Sequence, residues 1–162
     1  MTDFLNDKPE QVARVIAHNR DFAAFKKLIF PRMENISHLA LLDQHLERVH
    51  EYTISDGQRG IPYLIVSMPP RHAKSLTISR LFPAWHLGHA PDHRIILASY
   101  AAGLAVKHSR LIRNSMLSPV YQAWANGVRP AHAGEGAASV ESWDVKADGV
   151  LTGGGLDAVG VG

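Results

Sequence analysis

The spacing of apolar residues changes part-way along the chain from a helical period to strand-like runs. In the first third, apolar residues recur every three or four positions, which is typical of amphipathic helices. One such helix spans residues 22–29 and ends before Pro31, while Ser37 is a suitable N-cap for the next. An earlier helix is predicted to begin near Pro9. The pattern therefore predicts a helical N-terminal lead-in over residues 1–56.

From residue 57 onwards the pattern alternates between strands and helices. Residues 61–68 form an apolar run, as expected of a central parallel strand that is covered on both faces. A helix is predicted from about Lys74 to Leu87, with a kink at Pro83 and Gly88 near its C-cap. The order predicts an α/β fold with a parallel, right-handedly connected sheet.

The rest of the chain continues this alternation. A second buried strand is predicted at 94–100, a second helix at 101–117 and a short helical turn at 119–124. Residues 139–145 are predicted to be a short strand, 152–155 a flexible turn, and 157–161 the start of another strand. Because the chain ends as this strand begins, the domain over residues 57–162 is expected to be incomplete at its C-terminus.

Composition narrows the class of protein without identifying it. The chain has 162 residues, of which 46% are hydrophobic and 20% are charged, as in ordinary globular domains. There is no cysteine, no apolar run long enough to span a bilayer, and no secretion signal at the N-terminus, so no membrane partner is expected. The net charge of +2 is compatible with a nucleic-acid partner but does not require one.

The segment Ser-Met-Pro-Pro-Arg-His-Ala-Lys-Ser at 67–75 lies between the predicted strand and helix. A strand, a tight turn with Lys-Ser and a helix form a phosphate cradle, in which N–H groups face the anion and the lysine neutralises it. The usual spacing G-x-x-x-x-G-K-[ST], known as Walker A, would place glycines at 68 and 73, where this chain has Met and Ala. The alternative interpretation is a surface Lys74 and an N-capping Ser75 on an ordinary helix.

Two conformations of Ala73 have different consequences. If its φ angle is positive, the Cβ costs about 1–2 kcal/mol, whereas a right-handed backbone tolerates alanine. Arg71 is expected either to stabilise the γ-phosphate or to be a surface arginine with a carboxylate partner.

Other polar and aromatic residues are interpreted more simply. Arg80 is expected to be solvated or paired, and the three tryptophans to lie in the core. Lys107, His108, Arg110 and Arg113 give the second helix a basic side, which is compatible with DNA contact or with a solvated face. No metal site is predicted at His18, His38, His45 or His50.

Several motifs together resemble the N-terminal ATPase domain of the large terminase subunit of tailed bacteriophages. Pro-Pro-Arg-His-x-Lys-Ser at 69–75 is followed by Leu-Phe-Pro-Ala-Trp at 81–85 and by Arg-Ile-Ile-Leu-Ala-Ser-Tyr at 94–100. The likeness continues in Ser109-Arg110 and Arg113-Asn114, and returns in the glycine-rich residues 153–155 and 158–162. It covers about residues 25–162 and is weakest at 125–150.

This resemblance implies a P-loop NTPase that uses ATP and Mg²⁺ to drive viral DNA into a procapsid. In the family, Lys74 would bind the β- and γ-phosphates, Ser75 the Mg²⁺, and Arg71 would act catalytically on the γ-phosphate. The implied nucleotide-binding residues are Pro70, Arg71, His72, Ala73, Lys74 and Ser75. Double-stranded viral DNA, the portal protein and the small terminase subunit are the implied partners, in the cytoplasm of a bacterial host.

The chain also departs from that family. The acidic strand, whose carboxylates bind Mg²⁺ and activate water, and the C-terminal nuclease domain are not in this sequence. The chain is therefore expected to bind ATP weakly without hydrolysing it. The alternatives are a non-catalytic remnant or DNA- or protein-interaction module, and a fragment of another P-loop ATPase such as a helicase.

Overall fold

The structure, a computed structural model, describes residues 21–34 and 36–162. Its helices are α1 (Phe22–Ile29), α2 (Ser37–Ile54), α3 (consecutive segments Lys74–Leu76, Thr77–Leu81 and Phe82–His89), α4 (Ala102–Met116) and α5 (Pro119–Trp124). Its strands are β1 (Arg94–Ser99), β2 (Arg129–Pro130), β3 (Ser142–Ala147) and β4 (Val150–Gly160). The helix predicted near Pro9 lies outside the described residues, as does His18.

The four strands form one mixed sheet in the order β1-β4-β3-β2. Only β1 and β4 are parallel, while β4–β3 and β3–β2 are antiparallel. The prediction of an α/β fold is confirmed, whereas the prediction of a parallel sheet is wrong for the second half of the chain. The reason is the turn at Asp148-Gly149, where φ values of 51° and 78° suit a tight hairpin that reverses the chain between β3 and β4.

The flexible turn predicted at residues 152–155 is wrong, because these residues lie inside β4. The glycines there allow close approach of other backbone segments. A Cβ on Gly154 would lie 2.2 Å from the Pro91 carbonyl oxygen, and a Cβ on Gly155 would lie 2.2 Å from that of Trp143. The strand predicted at 157–161 is the end of β4, where it pairs with β1.

Residues 61–68 differ from the predicted central strand. They pair with no strand among the described residues, and their side chains alternate between the core and solvent. Leu64, Val66 and Met68 pack against the core, while Tyr63 and Ile65 are 87% and 96% exposed. The apolar run is therefore covered on one face only.

Helix α3 continues through Pro83, and a π-helical segment directly precedes the part of the helix that contains this proline. Residues Thr77–Leu81 form a π turn, and the N–H of Phe82 donates to the Thr77 carbonyl five residues back. Gly88 lies in the last turn of the helix, two residues before the C-cap Ala90, and thus near the C-cap as predicted. A Cβ on Gly88 would lie 2.3 Å from the Trp124 ring, so glycine permits this contact.

The core surrounds α3, and all three tryptophans are buried in it as predicted. The rings of Trp85 and Phe22 lie 5.3 Å apart, and α5 packs on the same helix through Tyr121. The Tyr121 hydroxyl donates to the Ala84 carbonyl at 2.7 Å, and burial raises the pKa of this phenol. Aromatic packing thus joins α1 and α5 to α3.

A buried ion pair joins α1 to α2. The Lys26 ammonium lies 2.6 Å from an Asp43 carboxylate oxygen, and the two side chains are only 3% and 5% exposed. Burial raises the pKa of Asp43, and Lys26 opposes that shift. Desolvation therefore offsets much of the attraction between these charges.

Three histidines form a hydrogen-bonded chain from α2 through α3 to the residue before β1. His50 Nδ1 lies 2.9 Å from His86 Nδ1, and His86 Nε2 lies 3.0 Å from His93 Nδ1. Burial, together with the neighbouring His93 and His89, lowers the pKa of His86 to about 4. His86 is therefore neutral in the folded protein at neutral pH.

We expect Asp43→Ala to lower the free energy of unfolding by about 3–5 kcal/mol, because it leaves the Lys26 ammonium buried without a counter-charge. The double variant Lys26→Met/Asp43→Leu removes both charges and should be clearly more stable than the single variant. Urea denaturation measures both. A single variant as stable as the double one would contradict this account.

Acid should destabilise the fold through His86. Its pKa is about 4 in the folded state against 6.5 in the unfolded chain, so the unfolded state binds the extra proton as pH falls through this window. Between pH 7 and about pH 4.5 this contribution amounts to roughly 2–3 kcal/mol. Denaturation at both pH values should give a smaller loss for His86→Gln than for wild type. The exposed control His132→Gln should retain the full loss.

Candidate functional site

The predicted phosphate loop forms a tight turn directly before α3. Arg71 and Ala73 both have left-handed backbones, with φ angles of 66° and 58°. The structure thus decides between the two conformations considered for Ala73: its backbone has the positive φ that costs about 1–2 kcal/mol for a residue with a Cβ. Strained backbone of this kind concentrates at ligand sites.

Helix α3 begins directly at the end of this loop. Lys74 is the first residue of the helix, and the Thr77 N–H donates to the Ala73 carbonyl at 2.9 Å. The N–H groups of Lys74, Ser75 and Leu76 lie in the first turn, where a helix has no internal acceptors for them. A left-handed residue next to a right-handed one also turns successive N–H groups to one side, which favours an anion.

The side chains at this turn carry positive charge without a local counter-charge. Lys74 is half-buried, while Arg71, His72 and Ser75 are exposed. Within 21–34 and 36–162, no carboxylate forms an ion pair with Lys74 or Arg71. The turn therefore presents two cations and a hydroxyl beside free N–H groups.

These residues fit a magnesium–nucleotide in charge and donor type. The cations and N–H groups suit phosphate oxygens, and the exposed Ser75 hydroxyl is a hard oxygen ligand of the kind Mg²⁺ accepts. Mg²⁺ typically takes one or two protein ligands and completes its shell with water and phosphate. In the part of the chain that is described, no group of three or more His, Cys, Asp or Glu side chains could hold a metal ion.

Arg80, one and a half turns beyond the loop, is half-buried, and no carboxylate of residues 21–34 and 36–162 forms an ion pair with it. Its guanidinium donates to the Ser115 hydroxyl of α4 at 3.1–3.2 Å and lies 4.6 Å from the Phe30 ring centroid. Burial lowers its pKa. Arg80 therefore holds α3 against its neighbours and does not belong to the loop.

The basic side of α4 is less charged than its sequence suggests. Lys107 and Arg110 are exposed, whereas His108 and Arg113 are half-buried. Burial, and then the neighbouring Lys107, lower the pKa of His108, which therefore carries no charge at neutral pH. Two exposed cations remain on this helix for an anionic partner.

A cavity of about 660 Å³ lies elsewhere, at the far end of α3. Phe82 and His86 line it together with the end of α2 and the start of β1. His86 lies twelve positions after Lys74 along the helix, which at about 1.5 Å per residue is roughly 18 Å. The cavity is therefore separate from the loop. Sequence reasoning missed the histidines beside it, because their spacing resembles no ligand motif.

Comparison of the chain with protein-family models, with curated proteins and with solved structures found no match. The resemblance to terminases thus rests on the motifs alone and stays a prediction. No described helix is both long and apolar enough to cross a bilayer.

Replacing Ala73 with glycine should stabilise the protein. Glycine removes the left-handed cost of about 1–2 kcal/mol and adds about 0.5–1 kcal/mol of backbone entropy to the unfolded chain. We expect Ala73→Gly to raise the free energy of unfolding by about 0.5–1 kcal/mol in urea denaturation.

The matched control is Ala40→Gly in α2, which should lower the free energy of unfolding by about 1 kcal/mol, since Ala40 is helical. Destabilisation by both variants would mean that Ala73 is not left-handed in solution.

Proposed function

We propose that this chain is the N-terminal part of the ATPase of a tailed-phage terminase large subunit, and that it binds Mg²⁺–ATP at residues 70–75. The observation that carries the proposal is the conformation of this turn. Its left-handed residues precede Lys74, which has no ion-pair partner among the described residues, and the free N–H groups of the first turn of α3. This arrangement suits the polyphosphate of a nucleotide.

The roles of the side chains follow from their positions in the turn. Lys74, at the first helical residue, would neutralise the β- and γ-phosphates, and Ser75 would be a ligand of Mg²⁺. Arg71 is exposed three residues before the first helical residue, and its guanidinium would contact the γ-phosphate. The bound metal would supply further neutralisation of phosphate charge.

We expect this chain to bind nucleotide without steady turnover. Hydrolysis requires a group that orients the attacking water, and none of the residues 70–75 proposed to bind the nucleotide carries a carboxylate. Assembly with the portal protein, the small subunit and viral DNA in a bacterial cytoplasm belongs to the same proposal. Lys107 and Arg110 are its candidate DNA contacts.

Millimolar Mg²⁺–ATP should raise the melting temperature of the purified chain. A ligand at about ten times its Kd stabilises the folded state by about 1.4 kcal/mol, which corresponds to roughly 3–5 °C for a chain of this size. Lys74→Ala should abolish this shift, and Lys107→Ala, which removes an exposed lysine from α4, should retain it.

The outcomes separate the alternatives. A wild-type chain that melts at the same temperature with and without Mg²⁺–ATP would overturn the proposal and favour a non-catalytic remnant. Steady ATP hydrolysis that disappears in Lys74→Ala would support binding but contradict the absence of turnover.

A further inference from the structure

The phosphate loop has very little hydrogen bonding of its own. Among the described residues, one hydrogen bond joins two members of the segment 67–73, and it links His72 Nδ1 to the Pro70 carbonyl at 2.9 Å. Residues 70 and 71 form a turn, but no short backbone–backbone hydrogen bond joins two residues of this segment, and its two left-handed residues are not glycines. The bond from His72 and the rigidity of Pro69-Pro70 therefore contribute to holding this turn.

The direction of this bond is fixed by chemistry. A carbonyl oxygen only accepts, so His72 Nδ1 is the donor and carries the proton. The bond spans Arg71, whose φ angle is 66°, and holds the residues on either side of it close together. Loss of the bond would allow Arg71 to return to a right-handed or extended backbone, which costs less for a residue with a Cβ.

The His72 ring is supported from a second element. His38, in the first turn of α2, packs edge-to-face on it, with ring centroids 5.6 Å apart and an angle of 62° between the rings. His38 is half-buried and belongs to a helix, and the exposed His72 ring packs against it. The contact limits the orientations in which Nδ1 can reach the Pro70 carbonyl.

We propose that His72 is the positioning residue of the loop: through Nδ1 it holds Pro70 and Arg71 in the geometry that presents Arg71 and Lys74 to the phosphates. The inference rests on the proposed nucleotide binding at residues 70–75. His72 acts through the backbone and needs no contact with the ligand.

Two substitutions distinguish an effect of the position of the donor nitrogen from an effect of side-chain size or polarity. The amide nitrogen of His72→Asn lies near the position of Nδ1 and can donate to the Pro70 carbonyl. In His72→Gln the amide lies one carbon further out, near the position of Nε2. The two variants are both neutral and polar, and they differ mainly in where the donor lies.

Amide hydrogen exchange at Thr77, whose N–H donates to the Ala73 carbonyl of the loop at 2.9 Å, tests the loop when it is measured without nucleotide. A hydrogen bond of ordinary net strength corresponds to roughly a 3- to 10-fold change in the opening equilibrium. We expect exchange to be faster by that factor in His72→Gln and His72→Ala, and close to wild type in His72→Asn. Equal exchange in the Asn and Gln variants would overturn the proposal.

Mg²⁺–ATP affinity provides the second measurement. His72→Gln should weaken binding about 3- to 10-fold, and His72→Asn should stay within about twofold of wild type. If wild type binds no nucleotide, the proposed function fails, while the exchange data still decide whether His72 holds the loop. If the chain binds nucleotide and the Asn and Gln variants weaken it equally, His72 does not act through Nδ1.

Discussion

Burial of the second half of α3 is the constraint on which the rest of the structure depends. A helix that is apolar around its whole circumference has to be surrounded, and the second half of α3 is packed by α1, α2 and α5. Trp85 meets Phe22, Tyr121 bonds to the Ala84 carbonyl, and Arg80 reaches across to α4. Because the helix is held so firmly, its N-terminus gives the loop a fixed base. A strained turn persists only when its surroundings hold it in place.

Much of the fold could be predicted from the period of the apolar residues. The helices at 22–29 and 101–117 and the strand at 94–100 agree with the structure to within one or two residues. The errors fall where tertiary packing overrides local pattern. An apolar run such as 61–68 indicates burial but not how many faces are buried. The glycines of β4 resemble a turn in the sequence, and only the close approach of neighbouring backbone explains them.

The candidate site, too, could be predicted from the sequence only in part. Lys-Ser after a Pro-Pro turn located the loop from the sequence, because the residue types carry the phosphate chemistry. The left-handed backbone of Ala73 could not be predicted, since alanine has no preference for it and the usual glycine is missing. The bond from His72 to the Pro70 carbonyl spans Arg71, whose left-handed backbone could not be predicted either. The hydrogen-bonded chain of His50, His86 and His93 could not be predicted either, because its members come from three separate parts of the fold.

The π turn at Thr77–Leu81 gives α3 one residue more than an α-helix of the same length would contain. One residue corresponds to about 100° of rotation around a helix axis. The extra residue therefore sets the angle between the buried second half of α3 and the turn that carries Lys74. A variant of this chain without the extra residue would have to rotate either its core face or its loop by more than a quarter of a turn. The length of this short segment, more than the identity of its residues, thus determines in which direction the cations of the loop point.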